Sequence, residues 1–246
     1  MTRRHYAASS MLSFIIPAHN EERWIRRSIA AIRTATEGLA ESHEIIVVDD
    51  SSTDATARLA LLDGARVVQV EHRQIAATRN AGAREARGEF LFFVDADTLA
   101  TPGAVRAALG AMREGAIGGG CVFRFDGTLP WGARLLYPVA VMSARCLRLV
   151  GGCFLFCTRK AFDSIGGFCE QFYAAEEAAF IRSLKKEGRF IVPRETVITS
   201  GRKLRAYSTW RIVREAARWF FRGPESYRRR EGLEIWYGPR QEDKQT

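Results

Sequence analysis

The chain has 246 residues, 47% of them hydrophobic, and its 37 Lys and Arg against 28 Asp and Glu leave a net charge of +9. That length fits one large α/β domain or one domain with a short appendage, and the apolar share excludes a disordered chain. The positive balance favours anionic partners: nucleotide phosphates, nucleic acid or an acidic membrane surface.

In chain order, Phe14–Ile16 reads as a short apolar strand. A helix is predicted next, with Asn20 as its cap, Glu21 and Glu22 in its first turn, and Ile25, Ile29 and Ile32 on one stripe. Ile45–Val48 is a β-branched run of the kind found in buried parallel strands. Ser51–Asp54 can cap a second helix carrying Leu59 and Leu62. Val67–Val70 is a third strand, an Ala-rich helix covers residues 74–86, and Phe90–Val94 is a fourth strand. Thr101 then caps a helix with Pro102 at its first position and Val105, Leu109 and Met112 on its inner stripe. Repeated strand–helix units imply a parallel sheet with helices on both faces. Ligands of such sheets sit at the carboxyl ends of the strands, which here are residues 17–20, Asp49–Asp50 and 95–97.

The second half is less regular. Cys121–Phe125 and Phe154–Cys157 read as strands, with Gly118–Gly119–Gly120 ahead of the first. Residues 162–168 read as a helix end running into a Gly166–Gly167 turn, 175–187 as a helix, and Val197–Thr199 as a strand. The longest apolar region, Leu135–Val150, is interrupted by Pro138, Arg145 and Arg148, so no run reaches the ~20 residues of a spanning helix. Thr2–Ser10 is polar and basic, without a secretory pattern. The five cysteines include no CxxC pair and are expected to be reduced and mostly buried, as in a cytoplasmic protein.

Three places carry chemistry. Asp95–Ala96–Asp97 sets two carboxylates directly after a buried strand, a hard-oxygen site for Mg²⁺ or Mn²⁺ that could bridge two phosphates; an Asx turn closing the strand is the plainer reading. Asp49–Asp50, after another strand, can accept from a base N–H or a ribose hydroxyl, or can serve helix capping. Glu177 shares a helical stripe with Phe180, Ile181 and Leu184, where a carboxylate must be paired, protonated or functional. Beside a cleft such a carboxylate suits a general base, whereas a Glu in the first turn could be satisfied by the helix dipole alone. Glu176 falls off that stripe and is expected to be solvated.

These elements stand in an order and spacing that resembles family 2 glycosyltransferases with the GT-A fold, over residues 11–200. Phe14–Glu21 resembles the family's first strand and its Pro-x-x-Asn-Glu turn. Ile45–Asp54 resembles the "VVDDGSTD" signature, with Ser51 where Gly is usual. Ala77–Gly82 is similar to the "AARNxG" helix, Arg87–Asp97 to the approach to the metal motif, and Gly166–Phe168 to the turn before an acidic pair. The resemblance implies a mixed, mainly parallel Rossmann-like sheet and a sugar moved from a UDP- or GDP-type donor to an acceptor hydroxyl with inversion. Pro17 and His19 would flank the nucleobase and Asp50 would accept from it, with Ala18, Glu21, Gln74 and Arg79 in the same nucleotide-binding set. Asp97 would hold the metal, Asp95 would support the ribose or the metal, and Glu177 would deprotonate the acceptor. Gly151, Gly152 and Glu176 would line the donor and acceptor cleft, where Arg202 and Lys203 could grip the leaving diphosphate or form a plain solvated turn. The family's usual Glu-Asp pair is Glu176–Glu177 here, and no histidine follows His72 to serve as a late metal ligand.

Residues 201–246 form a basic, aromatic extension. Projected on a helix, Trp210, Val213, Ala217, Trp219 and Phe220 share a broad face opposite Arg211, Arg214, Arg218 and Arg222. Such a helix can pack on the domain or a second subunit; through residues 205–222 it could instead lie on the inner face of a membrane near a lipid-linked or glycan acceptor. A dinucleotide-dependent oxidoreductase would need a Gly-rich loop after the first strand, where Pro17–Asn20 stand instead. No nucleic-acid reading motif is present. A nucleotidyltransferase would share much of the fold but gives Glu177 no task, and an inactive sugar-nucleotide binder is the remaining alternative.

Overall fold

The computed structural model describes residues 10–127 and 131–202. The four strands of the first half are β1 (Leu12–Ala18), β2 (His43–Asp50), β3 (Arg66–Val70) and β4 (Phe90–Val94), joined by helices α1 (Ile25–Thr36), α2 (Thr56–Leu62) and α3 (Ile75–Glu85). The short β5 (Thr98–Leu99) and helix α4 (Pro102–Arg113) follow, then β6 (Gly118–Gly120), β7 (Val122–Phe125) and helix α5 (Trp131–Leu147). The chain continues through β8 (Phe154–Thr158), α6 (Arg159–Ile165), α7 (Glu176–Glu187), β9 (Phe190–Ile191) and β10 (Thr196–Thr199).

The main sheet has the order β3-β2-β1-β4-β8-β6-β9. Its first four strands are parallel, β8 is antiparallel to both neighbours, and β6 and β9 are again parallel. A second sheet, β5-β10-β7, lies beyond the end of β4. The alternation accounts for the four parallel strands, and the mixed, mainly parallel sheet that the resemblance implies is the one observed.

Alternation along each strand divides the core in two. Phe14, Ile16, Val47, Phe92 and Phe154 face α1, α2 and α4, while Ile15, Ile46, Val48, Phe93 and Leu155 face α3, α6 and α7. Because both faces are covered, these strands read as unbroken apolar runs. The α3 side requires a close approach. A Cβ on Gly82 would fall 2.4 Å from Ile15 Cγ2 and 2.7 Å from Val48 Cγ2, so only glycine lets this helix lie flat on β1 and β2.

Several local expectations change. Asn20 does not cap α1: it adopts φ 53°, and α1 begins five residues later with Trp24 in the cap position and no acid in its first turn. The Asn20 side chain is instead committed to the β2 loop, accepting the Thr53 N–H at 2.8 Å. The second helix starts at Thr56, whose N–H donates to Asp54 Oδ1 at 2.9 Å, and it buries Thr56 and Ala60 while Leu62 stays 70% exposed. Gly118–Gly120 forms a strand of its own rather than a lead-in, and residues 131–147 form one helix that contains Pro138. Among the described residues no helix is long and apolar enough to cross a membrane. Cys121, Cys153 and Cys157 are buried, Cys146 and Cys169 are exposed, and all five are free thiols.

Candidate functional site

The carboxyl ends of β1, β2 and β4 open into a cavity of about 290 Å³. Its walls come from residues 17–19, Glu21, Asp50, the start of α3 and the two residues before it, residues 95–97, Gly152, residues 173–177 and Arg202. The backbone bends sharply at its rim. Asn20, Ser51, Arg73 and Ala175, all non-glycine residues, sit at φ between 50° and 58°. Left-handed conformations of this kind carry strain and gather at functional sites. Ser51, which stands where the signature it resembles has glycine, occupies one of them.

One wall is built largely from main-chain groups. Asp50 is buried, and its carboxylate accepts the Arg73 N–H at 2.8 Å, the Gln74 N–H at 3.2 Å and the Thr78 hydroxyl at 2.8 Å. It thereby caps α3 across the strand ends while keeping acceptor capacity on Oδ1 for a ligand. His19 Nδ1 lies 2.8 Å from the Asp50 carbonyl. A carbonyl can only accept, so Nδ1 carries the proton and Nε2 accepts from Arg73 Nη1. The neutral imidazole is therefore fixed in orientation beside Pro17.

The opposite wall hangs on one guanidinium. Arg79 on α3 has only 1% of its side chain exposed. Nη1 donates to Glu176 Oε1 at 2.9 Å, and Nη2 to Asp95 Oδ1 at 2.8 Å and to the Gly152 carbonyl at 3.0 Å. The guanidinium carbon stands 5.2 Å over the Phe168 ring, which stacks on Phe180 at 3.9 Å. Burial works against the Arg79 charge, but Asp95 and Glu176 outweigh it and hold the group above its ordinary pKa. Gly152 must lack a side chain, since a Cβ would sit 3.0 Å from Arg79 Nη2 and 3.3 Å from Glu177 Cβ.

The acidic pair at the start of α7 reverses one expectation. Glu176, read as solvated, is 5% exposed, whereas Glu177 is half-buried on the cavity wall. The reason is the positive φ of Ala175, which turns the first residue of α7 inward onto Arg79. Burial, and then the charge of Glu177, push the Glu176 carboxyl up to about 8 against the opposing pull of Arg79. The buried, proton-retaining member of the pair is therefore Glu176, and Glu177 is the one that faces the ligand space.

Asp95 and Asp97 both line the cavity, and each already holds a cation. Arg202 Nη2 lies 3.0 Å from Asp97 Oδ2 and 2.6 Å from Glu21 Oε1. Burial disfavours the Arg202 charge, but Glu21 and Asp97 raise its pKa above the ordinary value. Glu21 is buried at this contact, so it acts as a partner of Arg202 rather than as a first-turn helix residue. Among the described residues no cluster of three or more His, Cys, Asp and Glu side chains could hold a metal ion.

Of the residues expected at the site, Pro17, Ala18, His19, Glu21, Asp50, Gln74, Arg79, Asp95, Asp97, Gly152, Glu176, Glu177 and Arg202 line the cavity. Gly151 does not. It packs toward Phe123, where a Cβ would meet Cε1 at 3.0 Å. Lys203 and residues 205–222 lie outside the described residues. Arg73, Thr78 and Tyr173 line the cavity without having been singled out. Thr78 sat unnoticed inside a recognised helix motif. Arg73 and Tyr173 stand on loops with no periodicity to mark them.

The sequence model of the family described as Glycosyl transferase family 2 matches residues 13–176. A putative glycosyltransferase, EpsH, of Bacillus subtilis (strain 168) is 32% identical over 96 residues, which is 37% of this chain and 27% of that protein. The glucosyl-3-phosphoglycerate synthase of Mycobacterium tuberculosis (strain ATCC 25618 / H37Rv) is 34% identical over 100 residues, 37% of this chain and 30% of that protein. These matches thus span less than a third of either relative. Among solved structures, the mannosyltransferase PcManGT from Pyrobaculum calidifontis, in complex with GDP-Man and Mn²⁺, superposes with a TM-score of 0.63 at 21% identity, covering 84% of this chain and 61% of that one. TarS 1-349 of S. aureus in complex with UDP gives 0.59 at 19% identity, covering 77% and 60%.

Proposed function

The chain belongs to glycosyl transferase family 2, and from that premise we propose that it moves a sugar from a nucleoside diphosphate donor of the UDP or GDP type onto an acceptor hydroxyl, with inversion at the anomeric carbon. The observation that carries this reading is the Arg79 bridge. One buried guanidinium ties Asp95, on the diphosphate side, to Glu176, on the acceptor side, so both halves of a displacement share one cavity.

The nucleoside lies against Pro17, His19 and Asp50, where His19 presents a fixed neutral ring and Asp50 a remaining acceptor lone pair. Glu177 faces the ligand space and takes the proton of the acceptor hydroxyl. The acceptor oxygen then forms its bond to the anomeric carbon as the bond to the diphosphate breaks. Arg79 holds Glu176 and Asp95 in place but takes no proton itself.

Asp95 and Asp97 offer the hard carboxylate oxygens that Mn²⁺ or Mg²⁺ prefers. Asp95 and Asp97 would be the protein groups that hold the ion. The PcManGT structure is a complex with GDP-Man and Mn²⁺, and that of glucosyl-3-phosphoglycerate synthase contains Mn²⁺ and UDP, which supports the assignment. When bound, the cation neutralises charge on the leaving diphosphate. Arg202 must release Asp97 Oδ2 for this, and its guanidinium is then free to meet the diphosphate.

The same reading places residues 11–200 in the transferase domain and 201–246 in an appendage. A thermal-shift panel of UDP, GDP, dTDP and CDP, each with and without Mn²⁺, tests the function. A ligand at about 100 times its Kd adds ~2.7 kcal/mol of stability, several degrees for a domain of this size. One nucleotide should give a metal-dependent shift. No shift with any of the four would contradict the proposal.

A further inference from the structure

Helix α5 carries an apolar face that nothing in the described structure covers. Its inner side, Tyr137, Val141 and Ala144, packs against the protein, with the Tyr137 hydroxyl donating to the Phe123 carbonyl. Half a turn away, Val139 and Met142 are 63% and 65% exposed, and Cys146 is exposed on the same line. Leu147 and Leu149, at the helix end, are 67% and 41% exposed. Of the seven large apolar side chains exposed among the described residues, four are in this one stretch.

The charge around this face has one sign. No Asp or Glu occurs between Asp126 and Asp163. Arg134, Arg145 and Arg148 are exposed, Arg145 Nη2 donates to the Arg194 carbonyl at 2.9 Å, and Lys185 Nζ donates to the Leu147 carbonyl at 2.9 Å. Arg134 and Arg145, eleven residues apart, fall on the same flank of the helix. We propose that the outer face of α5 docks on an anionic lipid bilayer, with Val139, Met142 and Leu149 in the interface and the arginines at the headgroups.

Charge argues against the other covers. A twofold pair of α5 faces would bring together two helices that carry arginines and no carboxylate to pair them. Residues 203–246 carry eleven Lys and Arg against six Asp and Glu, so folding them over α5 would place like charge on like. Position favours the bilayer as well. The chain leaves α5 at Leu147 and reaches Gly152, on the cavity wall, five residues later. Docking there keeps a lining residue of the cavity within five residues of the membrane-facing helix. The inference stands whether or not the cleft turns over a sugar donor.

Flotation of the full chain with vesicles tests it, using phosphatidylcholine alone and phosphatidylcholine containing about a third phosphatidylglycerol, an anionic surface. The wild type should float only with the anionic vesicles, and Val139→Glu with Met142→Glu should lower the bound fraction at least ~10-fold at an unchanged melting temperature. Arg145→Glu with Arg148→Glu should do the same if the first pair melts early. Leu61→Glu with Leu62→Glu, the exposed apolar pair on α2, should leave flotation intact. The proposal is overturned if the wild type stays in solution, or if the α5 variants float like the wild type. It is equally overturned if the α2 pair has the same effect, or if the α5 variants convert a wild-type dimer to monomer.

Discussion

The two walls of the cleft are held by different kinds of bond. On the nucleotide side, Asp50, His19 and Asn20 are fixed mostly by main-chain groups at the ends of β1 and β2 and the start of α3. Each of those contacts joins neighbouring strand–loop–helix units. On the opposite wall, Asp95, Gly152 and Glu176 converge on Arg79, which precedes Glu176 by 97 positions in the chain. A wall made of many main-chain bonds loses little when one side chain changes. A wall made by one buried cation concentrates its stability and its alignment in a single residue.

Arg79→Met probes that concentration hardest. It removes the donor that meets Glu176 Oε1 and Asp95 Oδ1, and leaving such buried acceptors unmet costs about 1–3 kcal/mol. A urea titration should show a loss of that size. A loss below about 1 kcal/mol would mean that the acceptor wall is as redundant as the nucleotide wall.

Glu176→Gln tests the same wall through pH. The folded-state carboxyl is pushed from 4.5 up to about 8, so the native state holds a proton that the unfolded state releases. Wild-type stability should therefore fall as pH rises from about 4.5 to about 8 and level off above that. The glutamine variant cannot ionise, so the stability gap between variant and wild type should move in its favour across this window. Melting curves at several pH values read this directly, and a gap that does not change with pH would contradict the shift.

Ser51→Gly gives the smallest effect and belongs to the nucleotide wall. Relieving a left-handed serine at φ 58° should add about 0.5–1 kcal/mol, seen as a higher denaturation midpoint with nucleotide affinity unchanged. A destabilised variant would show that the Ser51 hydroxyl bond to the Val70 carbonyl outweighs the backbone strain.

Legibility in the sequence follows the same division. The parallel strands and both sides of the sheet were legible because β-branched and aromatic runs, helical stripes and the Thr101–Pro102 cap all signal locally. Asp50, Asp95 and Asp97 were legible because they end such runs. Asn20 was misread because a good cap residue before an apolar stripe looks like a helix start, whereas its side chain bonds across to the β2 loop. Glu176 was misread because helical projection assumes regular geometry back through Ala175, which is left-handed. The strand at Gly118–Gly120 left no pattern since glycine offers none. The Phe156 ring occupies the place of a Gly119 side chain, 2.4 Å from where its Cβ would be. The Arg79 bridge joins residues far apart in sequence, and only the folded chain reveals it.

We propose that Glu177 acts on the acceptor while the nucleotide wall binds the donor independently. Glu177→Gln should keep donor affinity within about twofold and slow release of the nucleoside diphosphate from its sugar by at least ~100-fold, as expected on losing a general base. Measuring both quantities on the same preparation decides the matter. Intact binding with lost turnover is the predicted result, and near wild-type turnover would contradict the assignment.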